Sequence, residues 1–367
     1  MAQTRAAEGR GYLGALFFLV LVLGALAAII IAGLRPFKNF SGDEKFILIP
    51  RGASSYQIAQ LLHKEGVVRH WAWFLGYLKI AKRSSHLQAG EYRFEGPLSI
   101  PQVVDKLIRG LVYYHELTIP EGYSLFEIGE LLDQKGFSKP ADLWEAARHV
   151  DRVSGLGQRP PNLEGFLFPD TYHLARGATA EEIVSMMVER FRDVYTKHLE
   201  TEIKMSPLNF NELLTLASLI EKETGVDEER ELVSAVFHNR LKKRMPLQCD
   251  PTVIYAAKLE GGFTGKIRQC DLDAHSAYNT YYRLGLPPGP IANPGLKSIQ
   301  AALKPAVANY LYFVSNNQGG HVFSVTLEEH QRAVSAYRKG LKRASNLTSS
   351  RSAKSLAYKQ QLTRSSR

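Results

Sequence analysis

Residues 46–66 read FILIPRGASSYQIAQLLHKEG, and residues 116–136 read ELTIPEGYSLFEIGELLDQKG. Aligned at an offset of seventy, the two share Ile49/Ile119, Pro50/Pro120, Gly52/Gly122, Ser54/Ser124, Ile58/Ile128, Leu61/Leu131, Leu62/Leu132 and Gly66/Gly136. Eight identities at one fixed spacing mark an internal repeat. Each copy opens on a strand-like run, FILI or ELTI, and turns at Pro-x-Gly. Ser54 or Ser124 then stands where a helix needs a cap. Ile58, Leu61 and Leu62, like their counterparts, lie at i, i+3 and i+4, and Gly66 or Gly136 stops the helix. The unit is a strand, a turn and a helix. Packing explains the pattern; glycan binding is the functional alternative.

Outward from the repeat, Trp71–Ala81 and Ile100–Arg109 read as helices and Gln88–Phe94 as a strand. The turn-forming stretch 151–163 marks a domain boundary. Beyond it come a loop EGFLFPDTY and helices over Ala180–His198, Phe210–Thr224 and Glu229–Arg244. In the second of these, Asn209 and Glu212 form a capping box and Gly225 the stop. YLYFV and HVFSV flank NNQGG as a hairpin, followed by a helix over Leu327–Leu341. The expected organisation is a stub at 1–11, a membrane span at 12–34, a repeat domain at 46–150, a second domain at 151–345 and a disordered basic tail at 346–367. The fold class expected is α+β.

The 12–34 span contains no charged side chain and is long enough for a bilayer core of about 30 Å. It ends in Leu34-Arg35-Pro36 without a small-x-small cleavage site, which favours an anchor over a cleaved signal. Flanking charge does not set orientation, since Arg5 and Arg10 precede the span and Arg35 and Lys38 follow it. The short stub and large body suggest an extracytoplasmic body. A net charge of +10 is concentrated partly in the tail beyond Lys339, which lacks Asp and Glu. Such a balance suits a lipid surface or cell-wall polymer better than nucleic acid in a membrane-anchored chain. Cys249 and Cys270 are too few for a disulfide scaffold, and pairing or free thiols are both compatible with the sequence.

No phosphate loop, dinucleotide fingerprint or Gly-x-Ser-x-Gly elbow is present, so no cofactor is expected. The histidines form no i, i+4 metal pair, and His321 and His330 read as structural or hydrogen-bonding groups. Carboxylates, amides and tyrosines remain, an inventory suited to carbohydrate chemistry. On the helix NELLTLASLIEKETG (211–225), Leu213, Leu214, Ala217 and Glu221 share a face. A carboxylate where an apolar stripe turns inward can hold the proton a general acid needs. Glu223 lines up almost as well with Leu216, Leu219 and Ile220, and periodicity does not choose between the two. Downstream, LQCDPTVIY (247–255) and AYNTY (277–281) lead into GLPPGPIANPG (285–295). Their amides and rings suit sugar hydroxyls, acetamido groups and pyranose faces.

The ordered set ASLIEKETG, VFHNRL, LQCDPTVIY, AYNTY, GLPPGPIANPG, YLYFV and GGHVFS resembles the YceG-like family of endolytic murein transglycosylases. EGFLFPDTY and the single N-terminal span fit as well, and the resemblance covers residues 12–341. It implies that Glu221, the first Glu of Glu-Lys-Glu-Thr, is catalytic, and that residues around 46–115 form a LysM-like subdomain. It also implies a peptidoglycan glycan strand as substrate, with synthases of the cell-wall machinery as possible partners. Gln248, Asp250, Tyr278, Asn279, Tyr281 and Glu164 are then the candidate substrate-binding residues. A hydrolytic muramidase pairing Glu221 with Asp250 or Glu164, or a non-catalytic glycan-binding anchor, are the rival readings. Cys249 before Asp250 and the tail beyond Lys342 depart from the family pattern.

Overall fold

The structure, a computed structural model, describes residues 16–25, 28, 31–82, 86–156 and 160–341. The stub and the tail lie outside these residues, as do 12–15, 26–27 and 29–30 of the expected span. Residues 16–25, 28 and 31–34 are helical, and among the described residues no helix is long and apolar enough to cross a membrane. Two compact units are present: residues up to Leu117 with Tyr172–Ala178, and Thr118–Thr171 with the chain from Thr179 onward.

In the first unit, β1 (Glu44–Ile49) pairs antiparallel with β2 (Gly90–Glu95), Ile47 opposite Tyr92 and Ile49 opposite Gly90. Alternation sends Ile47, Ile49, Tyr92 and Phe94 inward. Helices α1 (Ser55–Lys64), α2 (Trp71–Ile80) and α3 (Ile100–Ile108) supply Leu62, Phe74, Leu78, Val103 and Leu107 to the same core. Each such side chain contributes about 1.5–3 kcal/mol by leaving water. Ser54 caps α1 in a box with Gln57, as its position in the repeat predicts. Gly66 has φ 75°, and a Cβ there would strike the backbone of Asn39. β3 (Tyr114–Thr118) pairs with β4 (Thr171–Ala175).

The second unit begins inside the second repeat copy. Residues 118–150, expected to belong with the repeat domain, group instead with the remainder, because Gly122 N–H donates to Asn293 O (2.9 Å) and Asn293 N–H to Tyr123 O (2.9 Å). Helices α4 (Leu125–Gln134) and α5 (Pro140–Ala146) follow the turn. The two copies keep matching local geometry, with φ 76° at both Gly52 and Gly122 and a capping box at Ser124–Glu127. Such φ values suit glycine, which explains why both turns carry it.

Helix α6 (Ala180–Val194) runs into a π-turn over Tyr195–Leu199. At the centre lies α7 (Phe210–Glu223), with every residue from Leu213 to Ile220 buried. It packs against α8 (Arg230–Lys242), α9 (Asp250–Leu259) and α10 (Leu296–Leu303). Asn209 caps α7 as expected, with its Oδ1 accepting from Glu212 N–H at 3.0 Å. The C-terminal hairpin is β5 (Tyr312–Ser315) with β6 (His321–Ser324), and a helix covers 327–341. The described chain is α+β with small two-stranded sheets.

Candidate active site

The C-terminal end of α7 places two carboxylates in different surroundings. Glu221 sits in an ionic lattice, its side chain only 6% exposed. Its Oε1 accepts from Arg230 Nη1 at 3.3 Å and its Oε2 from Gly295 N–H at 3.0 Å. Arg230, itself buried, also reaches Asp227 (3.2 Å) and Ser298 Oγ (2.6 Å). The second repeat turn closes on this lattice. Lys222 Nζ donates to Gly122 O at 3.1 Å, and a Cβ on Gly122 would lie 3.3 Å from Glu221 Cγ. Glu121 stands 4.0 Å from Arg230, and burial, with the charge of Glu221, raises its pKa. The stripe of α7 thus ends in a salt-bridge cluster.

Glu223, the last residue of α7, is partly buried and faces a different group of residues. Burial pushes its pKa up to about 7; a hydrogen bond from Cys249 and the charges of His321 and Arg240 oppose the shift, while Asp250 adds to it. The Cys249 thiol is itself pushed well above its usual range by burial and by Glu223, so it remains an S–H donor. Cys249 and Cys270 are both free, the first buried and the second exposed.

Around Glu223 the LQCDPT and AYNTY segments are locked together. Cys249 N–H donates to Thr280 Oγ1 (3.0 Å), Thr252 Oγ1 meets Thr280 Oγ1 (2.9 Å), and Gln248 N–H donates to Thr280 O (3.2 Å). Arg240 ties Leu247 O (2.9 Å) to Leu311 O (2.7 Å). Gln248 and Asp250 are exposed on this scaffold, and Tyr281 OH donates to Asp250 Oδ1 at 2.5 Å. Gln248 holds φ 49°, a left-handed conformation uncommon for a side chain of its size. Such conformations cluster where a side chain must be aimed at a ligand.

The other candidates serve the scaffold. Glu164 is 1% exposed, and its oxygens accept from Leu125 N–H (3.0 and 3.1 Å), Tyr255 OH (3.0 Å) and Asn293 Nδ2 (2.9 Å). Burial pushes its pKa up to about 8 against those hydrogen bonds. Asn279 is fully buried, donating to Leu272 O and Ala274 O (both 2.8 Å) and accepting from Tyr281 N–H (3.0 Å). Tyr278 is partly buried against the Tyr255 ring at 5.0 Å. The sequence reading passed over Arg230, Gly295, Ser298 and Glu121. Only Glu121 left a signal, as the charge reversal between Pro-Arg-Gly and Pro-Glu-Gly in otherwise matching turns.

The end of α7 thus carries two carboxyls, Glu221 on Arg230 and Glu223 beside Cys249, with the exposed Gln248 and Asp250 on the segment that Cys249 belongs to, an inventory suited to acid/base chemistry on a polyhydroxylated ligand. The chain belongs to the YceG-like family, whose pattern it matches over residues 47–336. It is 36% identical over 323 residues to the endolytic murein transglycosylase of Bacillus subtilis, spanning 83% of this chain and 88% of that protein. With the endolytic murein transglycosylase of Streptococcus pneumoniae it shares 32% identity over 318 residues, covering 79% of this chain but 57% of that one. A 2.6 Å crystal structure of a YceG-like protein from Listeria monocytogenes is 34% identical and superposes with a TM-score of 0.53, over 80% of this chain and 99% of that one.

Proposed function

We propose that this chain is an endolytic lytic transglycosylase. It would cleave peptidoglycan strands between N-acetylmuramic acid and N-acetylglucosamine and leave 1,6-anhydro ends, limiting the length of nascent strands. The acid is assigned to Glu221, the first Glu of the Glu-Lys-Glu-Thr run, and its place in the site supports that assignment: it ends the apolar stripe of α7 with its side chain 6% exposed, its Oε1 on Arg230 Nη1 at 3.3 Å and its Oε2 on Gly295 N–H at 3.0 Å. A guanidinium and a backbone N–H are placed to hold the carboxylate that remains once the proton has gone to a leaving oxygen. Glu223, raised by burial, is the alternative acid on the same turn.

In the reaction, Glu221 delivers its proton to the glycosidic oxygen as the C1–O4 bond breaks. The muramic C6 hydroxyl attacks C1 and closes the anhydro ring. Because the nucleophile belongs to the same sugar, its proximity replaces the second carboxylate that hydrolases ordinarily use. The Glu221 carboxylate then takes the C6–OH proton. Gln248, Asp250 and Tyr281 orient the acetamido groups and rings. Glu221→Gln keeps the shape and removes the proton, so anhydro product formation falls by about 10²–10⁴-fold. Retained cleavage in a folded Glu221→Gln, with loss in Glu223→Gln, would give the role to Glu223.

The uncharged 12–34 stretch supports a single-pass anchor with both units outside the cytoplasm. Protease added to intact spheroplasts then degrades the body; protection of the body would exclude that topology. The first unit, LysM-like by resemblance, would hold the strand, so its disruption raises KM for long strands and leaves short ones unaffected. Equal effects on both lengths would remove that role.

A further inference from the structure

The turn that closes on Glu221 comes with an internal control. The first repeat copy makes it as Pro50-Arg51-Gly52 and the second as Pro120-Glu121-Gly122, with φ 76° at both glycines. The turn itself therefore does not require a carboxylate at position 121. The surroundings of Glu121 do use one. Arg230 Nη2 lies 4.0 Å from Glu121 Oε2, and the same guanidinium group holds Glu221 Oε1 at 3.3 Å and Asp227 Oδ1 at 3.2 Å. Gly295 lies against both glutamates: its N–H donates to Glu221 Oε2 at 3.0 Å, and a Cβ on it would overlap the Glu121 carboxylate. Gly295 holds φ −73° and ψ 168°, extended backbone open to any residue. The space taken by Glu121, rather than the chain conformation, accounts for a glycine there. Exposure separates the two side chains: Glu221 is enclosed, whereas Glu121 is 50% exposed and meets solvent.

A guanidinium paired with one carboxylate draws it into the ionised form. Shared among several carboxylates it does so less, and a second carboxylate nearby favours the protonated form. Resting on the Glu221 assignment, we propose that Glu121 is a positioning residue for the acid: sharing Arg230 and lying against Gly295, its charge keeps the proton on Glu221 until the glycosidic oxygen takes it. Burial and the charge of Glu221 raise the Glu121 pKa, and the interaction of two such groups is mutual. Glu121 exchanges no proton with substrate; Glu221 gives one to O4 and receives one from the C6 hydroxyl. The charged groups facing the pair are Lys222 from α7, Asp227 from the turn before α8, Arg230 from the start of α8, and Lys297 from α10, which is itself paired with Asp227.

The test is the pH profile of kcat/KM for anhydro-end formation by the full chain, read by product mass, for wild type, Glu121→Gln, Gly295→Ala and Glu221→Gln. The alkaline limb reports loss of the acid's proton. Glu121→Gln removes the neighbouring charge at constant shape, so that limb moves to lower pH by about one unit. The loss is then about tenfold at pH values above the limb and shrinks on its acidic side. In Gly295→Ala the new methyl group displaces the Glu121 carboxylate, and the limb moves the same way. A limb that stays in place or moves to higher pH in Glu121→Gln overturns the proposal, as does a rate lowered equally at every pH, the mark of a merely structural role. Should that variant fail to melt cooperatively, an unmoved limb in Gly295→Ala overturns it instead. Glu221→Gln separates the two ideas: anhydro ends formed at the wild-type rate by that variant refute the acid assignment, whereas an unmoved limb beside an inactive Glu221→Gln strikes Glu121 alone.

Discussion

Replacing Glu221 tests both the ion pair it makes and the chemistry it performs. In Glu221→Ala, Arg230 keeps Asp227 and Ser298 but loses its buried counter-ion, and Gly295 N–H loses its acceptor. Breaking a buried ion pair from one side costs about 3–5 kcal/mol. For a unit of this size each kcal/mol lowers Tm by about 2–4 °C, so Tm drops by roughly 6–20 °C. Glu221→Gln retains one acceptor oxygen and leaves one buried donor unpaired, a loss of about 1–3 kcal/mol. Thermal melting by circular dichroism measures both. Below its melting transition, Glu221→Gln should form anhydro ends at least about 10²-fold more slowly than wild type. An unchanged Tm in Glu221→Ala refutes the ion-pair account, and wild-type cleavage by a folded Glu221→Gln refutes the acid assignment.

Tyr281→Phe removes the hydroxyl on Asp250, and its effect should appear mainly in KM, a loss of about 0.5–1.5 kcal/mol in binding; an unchanged KM excludes Tyr281 from the substrate site. Glu164 has a folded pKa of about 8, above its unfolded value, so its stabilising contribution is complete at low pH and is lost as pH rises toward 8. Glu164→Gln should therefore flatten the fall in Tm between about pH 4.5 and 8, and an unaltered slope rejects that origin. Asn209→Ala should cost about 1 kcal/mol through loss of the α7 cap, with kcat unchanged; a matching loss of kcat would mean that the cap positions Glu221.

Local structure was legible wherever a short pattern and its backbone consequence coincide. Gly52 and Gly122 share one φ because the repeat requires the same turn twice, and Asn209 with Glu212 marked the start of α7. Placement was less legible. The second copy joins the second unit because Asn293, far along the chain, hydrogen-bonds its turn. Polar residues in the loops mixed two roles that composition cannot separate. Gln248 and Asp250 are exposed, with Tyr281 bonded to Asp250, whereas Asn279 and Glu164 satisfy buried backbone groups that would otherwise be orphaned. Glu221 and Glu223 stayed unresolved by periodicity because both lie in the last turn of α7. What distinguishes them comes from Arg230 and Gly295 on one side and Cys249 on the other. His321 was read as a hydrogen-bonding residue, which it is, but its partner Glu229 lies 92 residues away.

The most direct measurement is the mass of the products released from purified glycan strands by wild type, Glu221→Gln and Glu223→Gln at a temperature where all three are folded. The account predicts ends one water lighter than reducing ends from wild type and Glu223→Gln, and none from Glu221→Gln. Reducing-end products from wild type, or anhydro ends from Glu221→Gln at the wild-type rate, would contradict it.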